Sequence, residues 1–332
     1  MTSAGQKQEH RYVTCGELGA SDAGARVAVR GWVNSTRDHG GLIFVDVRDR
    51  YGITQVVFDP RTTEQPSYDA AGHLRSEDVI MAAGTVRRRP AGTENANLKT
   101  GEIEVAVDQL TVLNKSKTPP FPLHGDENVD ESLRMKYRYI DLRRPAMQHN
   151  IALRHRAVKA VRDYLDAQGF LEIETPMLIK QTPEGARDFV VPSRIHPGEF
   201  YALPQSPQLF KQLLMVGGFH RYFQIARCFR DEDSRADRQP EFSQIDIELT
   251  FPSQDDVIAV IEGTLAAMFS QALGVDVKPP FRRLTFEEAM ATYGSDKPDL
   301  RFEMPLHDFS PAFAGTEFKI FAAALAAGKA IV

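Results

Sequence analysis

The stretch FRDEDSRADRQPEF, residues 229–242, carries three arginines (Arg230, Arg235, Arg238) and six acidic or amide side chains (Asp231, Glu232, Asp233, Asp237, Gln239, Glu241). It joins two apolar, strand-like runs, YFQIARCF and FSQIDIELTF. Arg230 directly follows Phe229 at the end of the first run. An arginine there projects from a rigid element and can clamp a phosphate or carboxylate with two parallel hydrogen bonds. Catalytic groups are best held at such places. On charge alone, a solvated and self-neutralising hairpin tip is the simpler reading.

A second group lies in TPEGARDF and YALPQSPQLFKQLLM, within residues 182–215. Glu184 sits in a Pro–Glu–Gly turn, outside regular pairing. Gln208 and Lys211 are three apart and share one face of the helix predicted over 206–218, while Leu209, Leu213 and Leu214 take the other. An amphipathic helix with a snorkelling lysine has the same pattern as a lysine placed to accept a carboxylate. A third group, Arg37, Phe44 and Gln55, lies on or beside the first three predicted strands. Aromatics with arginine stack on and hydrogen-bond unpaired bases; a core Phe44 beside a surface Arg37 is an equal alternative.

The elements that must position these groups fall into two blocks. RVAVRGWVN, GLIFVDVRD, ITQVVFD, DVIMAAGTVRRR and GEIEVAVDQLTVLN read as five strands within residues 26–114, separated by turn-rich segments. A polar segment near 61–77 has room for a short helix after the third. That order suggests a five-stranded OB-type barrel, although any small β-barrel shares the pattern. Residues 115–145, proline-rich at the start and mixed in charge, read as a linker or hinge. From 147 the period becomes helical through Ile151, Val158, Val161 and Leu165, with Gly169 where a C-terminal cap is wanted. FLEIETPML then alternates as a strand ending at Pro176, and runs at 188–192, 199–203, 220–229 and 242–251 suggest an antiparallel sheet.

Bulk properties narrow the setting. The 332 residues allow about two domains. A net charge of −5 gives no global attraction to nucleic acid, so a polyanion would need a local basic surface. The two cysteines, Cys15 and Cys228, fit a reducing cytoplasm better than a disulfide framework or metal cluster. MTSAGQKQEHRY has no apolar leader segment. VIAVIEGTLAAMFSQALGV (257–275) is interrupted by Glu262 and Gln271 and reads as a helix of a soluble protein with no membrane partner.

Together these segments resemble a bacterial-type aspartyl-tRNA synthetase, a class II aminoacyl-tRNA synthetase. FLEIETPML is similar to motif 1 of that class and FRDEDSRADRQPEF to its motif 2; TPEGARDF, QSPQLFKQLLM, QIDIE and YGSDKPDLRF follow in the family's order. The resemblance runs from GWVN at 31 to at least 302. It implies an α+β chain: an anticodon-binding OB barrel (1–114), a hinge (115–145), the first part of a catalytic domain built on an antiparallel sheet flanked by helices (146–285), and the start of an insertion domain (286–332).

The same resemblance implies residue roles. Arg230 would bind the ATP α-phosphate and the substrate carboxylate, with Asp231, Glu232 and Gln239 completing the nucleotide contacts. Glu184, Gln208 and Lys211 would hold L-aspartate, Lys211 pairing the side-chain carboxylate. Asp246 would meet either the ammonium group or Lys211. Pro176 would lie in a homodimer interface, and Arg37, Phe44 and Gln55 beside anticodon bases. His39, with Gly92 in a later turn, resembles enzymes that charge tRNA(Asn) as well as tRNA(Asp), although an incidental loop histidine looks the same. The reaction would join L-aspartate to ATP as aspartyl-adenylate and pass the aspartyl group to tRNA, by positioning and charge stabilisation with Mg²⁺ rather than a protein nucleophile.

The family's motif 3 and its metal-binding carboxylates have no counterpart before Val332, so this chain is expected to be a fragment that makes no adenylate alone. Asparaginyl- and lysyl-tRNA synthetases share the architecture, but a lysine facing the substrate side chain suits a carboxylate and repels an ammonium. A non-catalytic tRNA-binding fragment or paralogue is the alternative from another class, and it leaves the motif 2 and pocket residues without a use.

Overall fold

The computed structural model describes residues 10–123, 128–233 and 235–331. Residues 1–9, residues 124–127 of the segment read as a linker, Ser234 of the charged loop and Val332 lie outside them. The chain divides into two compact units, Met1–Leu153 and Arg154–Val332.

The first unit is a closed barrel. Its strands are β1 (Arg11–Val13), β2 (Arg26–His39), β3 (Leu42–Arg48), β4 (Ile53–Phe58), β5 (Val79–Arg88) and β6 (Ile103–Asn114). Helix α1 (Gln65–Ala71) fills the connection between β4 and β5. The strand order is β1-β2-β3-β4-β6-β5, and pairing of β5 with β2 closes the ring. This is OB topology. All five strands expected from the alternation are present; β1 is additional, pairing parallel to β2 through Arg11 and Val27. Its three residues are too short to show a period.

Alternation in the strands decides what faces inward. Val27, Val29, Val33, Val45, Val47, Val56, Ile80, Val105 and Phe58 are buried together in the barrel core. Gly84 sits at a register shift between β5 and β6. A Cβ there would stand 2.0 Å from the Ala106 carbonyl oxygen, so the strands approach this closely only with glycine.

The segment read as a linker is not featureless. It holds α2 (Glu131–Lys136), capped by Asp130, and α3 (Arg138–Asp141). Buried Glu77 anchors this segment. Arg48 Nη2 donates to its Oε1 at 2.6 Å and Arg143 Nη1 to its Oε2 at 2.8 Å. Asp78 accepts from Ser116 N at 2.8 Å and Lys115 Nζ at 3.0 Å. Asp141, fully buried, accepts from Arg134 Nε at 2.9 Å.

Helix α4 (Pro145–Ala167) crosses the boundary between the units. The second unit continues with β7 (Leu171–Glu172), β8 (Val190–Pro192), β9 (Phe200–Ala202), α5 (Gln208–Val216), β10 (Arg221–Phe229), β11 (Glu241–Leu249), α6 (Gln254–Leu273), α7 (Phe286–Tyr293) and α8 (Lys319–Ala326). The expected antiparallel sheet is here a three-stranded sheet, β11-β10-β7, with β8 and β9 as a separate ribbon. Strands β10 and β11 pair antiparallel, but β7 runs parallel to β10. The strand expected over FLEIETPML contributes two residues, because Pro176 lacks an amide donor and favours extended but unpaired backbone before it.

The core of this unit lies on one face of the β10–β11 hairpin. Val161, Leu165, Phe170 and Phe223 are buried, with Ile225, Ile247, Leu249, Val260 and Met268 packed on them. Helix α6 is long and apolar enough to cross a membrane by length and composition. Its Val260 and Met268 join this core, and Glu262 Oε1 accepts from Phe281 N at 3.0 Å. Gly263 permits that packing: a Cβ there would stand 1.8 Å from Tyr164 Oη. Near the end of the chain no strand forms among the described residues; Ile331 N donates to Ser310 Oγ at 2.9 Å.

Candidate functional site

Strand pairing sets the site. In the β10–β11 register Tyr222 faces Glu248, Gln224 faces Asp246, Ala226 faces Gln244 and Cys228 faces Phe242. Paired residues share a face, so these side chains stand opposite the apolar core. Polar residues at alternate positions therefore form one polar surface.

Helix α5 delivers Lys211 to that surface. Its Nζ lies 2.8 Å from Asp246 Oδ1 and 3.3 Å from Glu248 Oε2. Burial opposes the lysine charge, but the two carboxylates outweigh it and hold Lys211 above its ordinary value. Burial pushes Asp246 upward, with Lys211 working against the shift. Asp246 Oδ2 is buried with no well-formed hydrogen bond among the described residues, since the Tyr222 hydroxyl beside Asp246 donates to Gln224 Oε1 at 2.8 Å. Such an orphaned acceptor is costly unless a donor arrives. A lysine has three donors and two are engaged here, leaving one for an incoming carboxylate.

Glu184 is tied to the same region, its Oε2 accepting from Ser206 Oγ at 2.7 Å. Gln208 opens α5, half-buried, with its N–H donating to Ser206 Oγ at 3.3 Å. Cys228 lies among these groups. Burial raises its thiol to about 11, and Arg230, Asp246, Glu184 and Lys211 all act on it electrostatically. It stays a thiol at neutral pH, so it serves as packing rather than as a nucleophile.

Arg230 leaves the end of β10 half-buried. Its guanidinium lies 5.2 Å from the Phe242 ring centroid, and its Nε donates to Gln205 O at 3.4 Å. Arg230 N donates to Pro240 O at 2.9 Å, closing the neck of the charged loop. A pocket of about 460 Å³ opens there, lined by Arg230, Glu232, Arg238, Gln239 and Phe242 among others. Asp231 and Glu232 are exposed; Asp231 N donates to Arg187 O at 3.0 Å, and Glu232 lies 3.6 Å from Arg238. The loop is thus not a fully self-neutralised tip, since Arg230 points into a pocket with no carboxylate bonded to it among the described residues. Pro176 is exposed, with Met177 and Leu178 beside it.

The barrel carries a second polar surface on its outer face. Arg37 pairs with Phe44 and Asp46 with Gln55. Arg37 Nη2 lies 3.2 Å from Asp46 Oδ2 and 3.3 Å from Gln55 Oε1. Phe44 is half-buried and stands outside the core cluster, so it is not a core residue. Gln55 is more enclosed than the other two, donating from Nε2 to Glu104 Oε2 at 2.9 Å. His39 packs edge-on to Phe44 with centroids 6.1 Å apart. Gly92 lies in the β5–β6 loop, in open space, with its N–H donating to Glu94 Oε2 at 2.8 Å.

Several polar residues at these surfaces escape sequence reading. Glu104 and Arg87, joined at 2.8 Å, extend the barrel face. Glu248, Ser206 and Gln205 complete the surface around Lys211, Glu184 and Arg230. The signal for Glu104 and Glu248 was a carboxylate alternating with apolar residues inside a strand; Gln205 and Ser206 open the QSPQLFKQLLM motif, but nothing in their type or spacing marked them as site residues. Among the described residues no group of three histidine, cysteine or acidic side chains is arranged to hold a metal.

Residues 130–318 match the family described as tRNA synthetases class II (D, K and N), and residues 27–113 match the OB-fold nucleic acid binding domain. The chain is 57% identical to the aspartate–tRNA(Asp/Asn) ligase of Moorella thermoacetica, over 97% of this chain and 53% of that protein. It is likewise 57% identical to the enzyme of that name from Salinibacter ruber, over 94% of this chain and 50% of that protein. It spans about half the length of the curated relatives it matches. Among solved structures, the asparaginyl-tRNA synthetase of Pyrococcus horikoshii with asparaginyl-adenylate is similar at a TM-score of 0.70 and 25% identity, over 80% of this chain and 58% of that one. The aspartyl-tRNA synthetase of Entamoeba histolytica shares the fold at a TM-score of 0.70 and 21% identity, over 86% of this chain and 63% of that one.

Proposed function

The chain belongs to the class II tRNA synthetases (D, K and N), and on that premise we propose that it is part of an aspartate–tRNA ligase. In this reading the complete ligase activates L-aspartate with ATP and transfers the aspartyl group to tRNA(Asp) and tRNA(Asn), and this chain alone makes no adenylate. The observation that carries it is Lys211, buried at 9% exposure and held by Asp246 and Glu248 beside an orphaned carboxylate oxygen. A fixed ammonium with one remaining donor suits a substrate carboxylate, and the free Asp246 Oδ2 suits a substrate ammonium. An aspartate side chain and amino group present that pair of charges.

Arg230 then brings two anions together. Its guanidinium, braced by Phe242 and the Gln205 carbonyl, offers its fork to the α-phosphate of ATP and to the α-carboxylate that attacks it. Asp231, Glu232 and Gln239 line the nucleotide side, and Glu184 and Gln208 the aspartate side. Mg²⁺ would screen the triphosphate, and among the described residues no group of acidic, histidine or cysteine side chains is arranged to hold it. On the barrel, Arg37, Phe44 and Gln55 would read unpaired anticodon bases, with His39 and Gly92 setting the acceptance of tRNA(Asn). That acceptance is supported by the names of the relatives. We further propose a homodimer joined around Pro176, in a soluble cytoplasmic enzyme with no membrane partner.

The test is aspartate-dependent exchange of pyrophosphate into ATP by the full-length gene product containing these residues. Exchange with L-aspartate and none with L-asparagine or L-lysine is expected. Exchange with either of the other amino acids, or with none, overturns the reading.

A further inference from the structure

Gln205 lies between the Glu184 loop and Arg230, and the proposed function uses its carbonyl but gives its side chain no role. It is 1% exposed. Its side-chain amide grips the main chain of the loop that carries Glu184: Ala186 N donates to Gln205 Oε1 at 3.1 Å, and Gln205 Nε2 donates to Ala186 O at 2.9 Å. The same Nε2 donates to Asp188 Oδ1 at 2.5 Å. A carboxamide pairing with both the N–H and the C=O of one residue acts as a one-residue strand pairing and fixes the two peptide units that flank Ala186.

Main-chain contacts of the same residue face elsewhere. Gln205 O accepts from Arg230 Nε at 3.4 Å, and the next residue, Ser206, donates to Glu184 Oε2 at 2.7 Å. Residues 205 and 206 therefore join the Glu184 loop, the arginine at the end of β10 and the start of α5. The loop has little else to hold it. Glu184 N donates to Thr182 O at 3.0 Å and Arg187 O accepts from Asp231 N at 3.0 Å, while Gly185 is exposed.

We propose that Gln205 is a positioning residue for the amino-acid side of the site, holding the Glu184 loop in its binding geometry through Ala186. The role rests on the functional reading above and deepens it. Because the side chain touches the loop and only the main chain touches Arg230, truncating the side chain loosens aspartate binding and spares ATP binding.

Glutamate at this position supplies a sharper test. A protonated carboxylic acid has one donor and one acceptor and can still pair with the N–H and C=O of Ala186; an ionised one has no donor and faces the Ala186 carbonyl and Asp188. The charged groups around it are Asp188, Glu184 (through Ser206), Arg187 and Asp231 on the loops, and Arg230 from the end of β10.

The experiment measures pyrophosphate exchange by the full-length gene product for the parent, Gln205→Ala and Gln205→Glu, relative to the parent at each pH. Gln205→Ala should raise the KM for aspartate about tenfold, the loss of one to two well-formed hydrogen bonds, with the KM for ATP within about twofold. Gln205→Glu should approach the parent near about pH 5.5 and depart from it near about pH 8, as its buried carboxyl ionises. Hydrogen exchange on the present chain gives an activity-free reading: Gln205→Ala should speed exchange at the Ala186 amide and leave the β10 amides unchanged. Equal loss of protection at Ala186 and β10 would mean general destabilisation and overturn the role. An active parent whose aspartate KM is unmoved by both substitutions overturns it as well. An inactive parent instead sinks the functional reading, and the positioning role with it.

Discussion

Lys211 Nζ stands 2.8 Å from one oxygen of Asp246, and the other oxygen of that buried carboxylate has no hydrogen-bond partner among the described residues. The pair thus does two things at once. It fixes the lysine ammonium against β11, and it leaves one buried carboxylate oxygen unmet. A purely structural buried pair would be expected to satisfy both oxygens, because an unmet buried acceptor costs stability.

Replacing Asp246 by asparagine keeps the shape and removes the charge at both points. The KM for aspartate in pyrophosphate exchange should rise about 10- to 100-fold, the range for losing hydrogen bonds to a charged group. An unchanged KM would show that the free oxygen faces no substrate.

Arg230→Ala should lower the exchange rate by at least about 100-fold, since it removes a preorganised cation from the place where charge develops. Exchange within tenfold of the parent, at saturating ATP and aspartate, would remove Arg230 from the reaction.

His39 packs against Phe44, so a change at His39 alters the surface offered beside the proposed base-stacking ring. His39→Leu should reduce charging of purified tRNA(Asn) about tenfold relative to tRNA(Asp), some 1.4 kcal/mol of discrimination. Equal charging of both tRNAs by this variant and the parent would make His39 an incidental loop residue.

Glu77 accepts from Arg48 and Arg143, and its side chain is 1% exposed. Glu77→Ala takes the carboxylate from the buried Arg48 guanidinium, which keeps its bond to Asn34 Oδ1, and should destabilise the barrel unit by about 3 kcal/mol. Urea unfolding followed through Trp32, which lies 5.0 Å from the Arg143 guanidinium, provides the measurement.

Acid should weaken the same unit. Burial pushes Asp78 and Asp141 upward, but main-chain donors and Lys115 at Asp78, and Arg134 and Arg138 at Asp141, outweigh it and hold both below the usual carboxylate range. A depressed native pKa contributes stability that is fully present above the unfolded value, near about 4, and is lost as pH falls through the native value. The urea midpoint should therefore hold down to about pH 5 and decline below it. In Asp141→Asn that decline should be shallower.

Sequence alone determined whatever depends on local period and side-chain type. Alternation located the five barrel strands and the β10–β11 hairpin, because one buried face demands an apolar residue at every second position. Helical spacing located α5 and placed Gln208 and Lys211 on one face. The likeness of several motifs in order supplied the family. Tertiary structure decided what depends on pairing between distant segments. It made FLEIETPML a two-residue strand, added β1, and turned the linker into short helices held by Glu77, Asp78 and Asp141. It also chose between alternatives that share one pattern. Phe44 stands outside the core because Arg37 is its cross-strand partner, and Lys211 is no snorkelling lysine because Asp246 and Glu248 lie 35 and 37 positions along the chain yet within reach of its ammonium. The role of Gln205 was hidden for the same reason: its type and motif position are legible, but its work comes only from the Ala186 N–H and C=O that folding brings against its side chain.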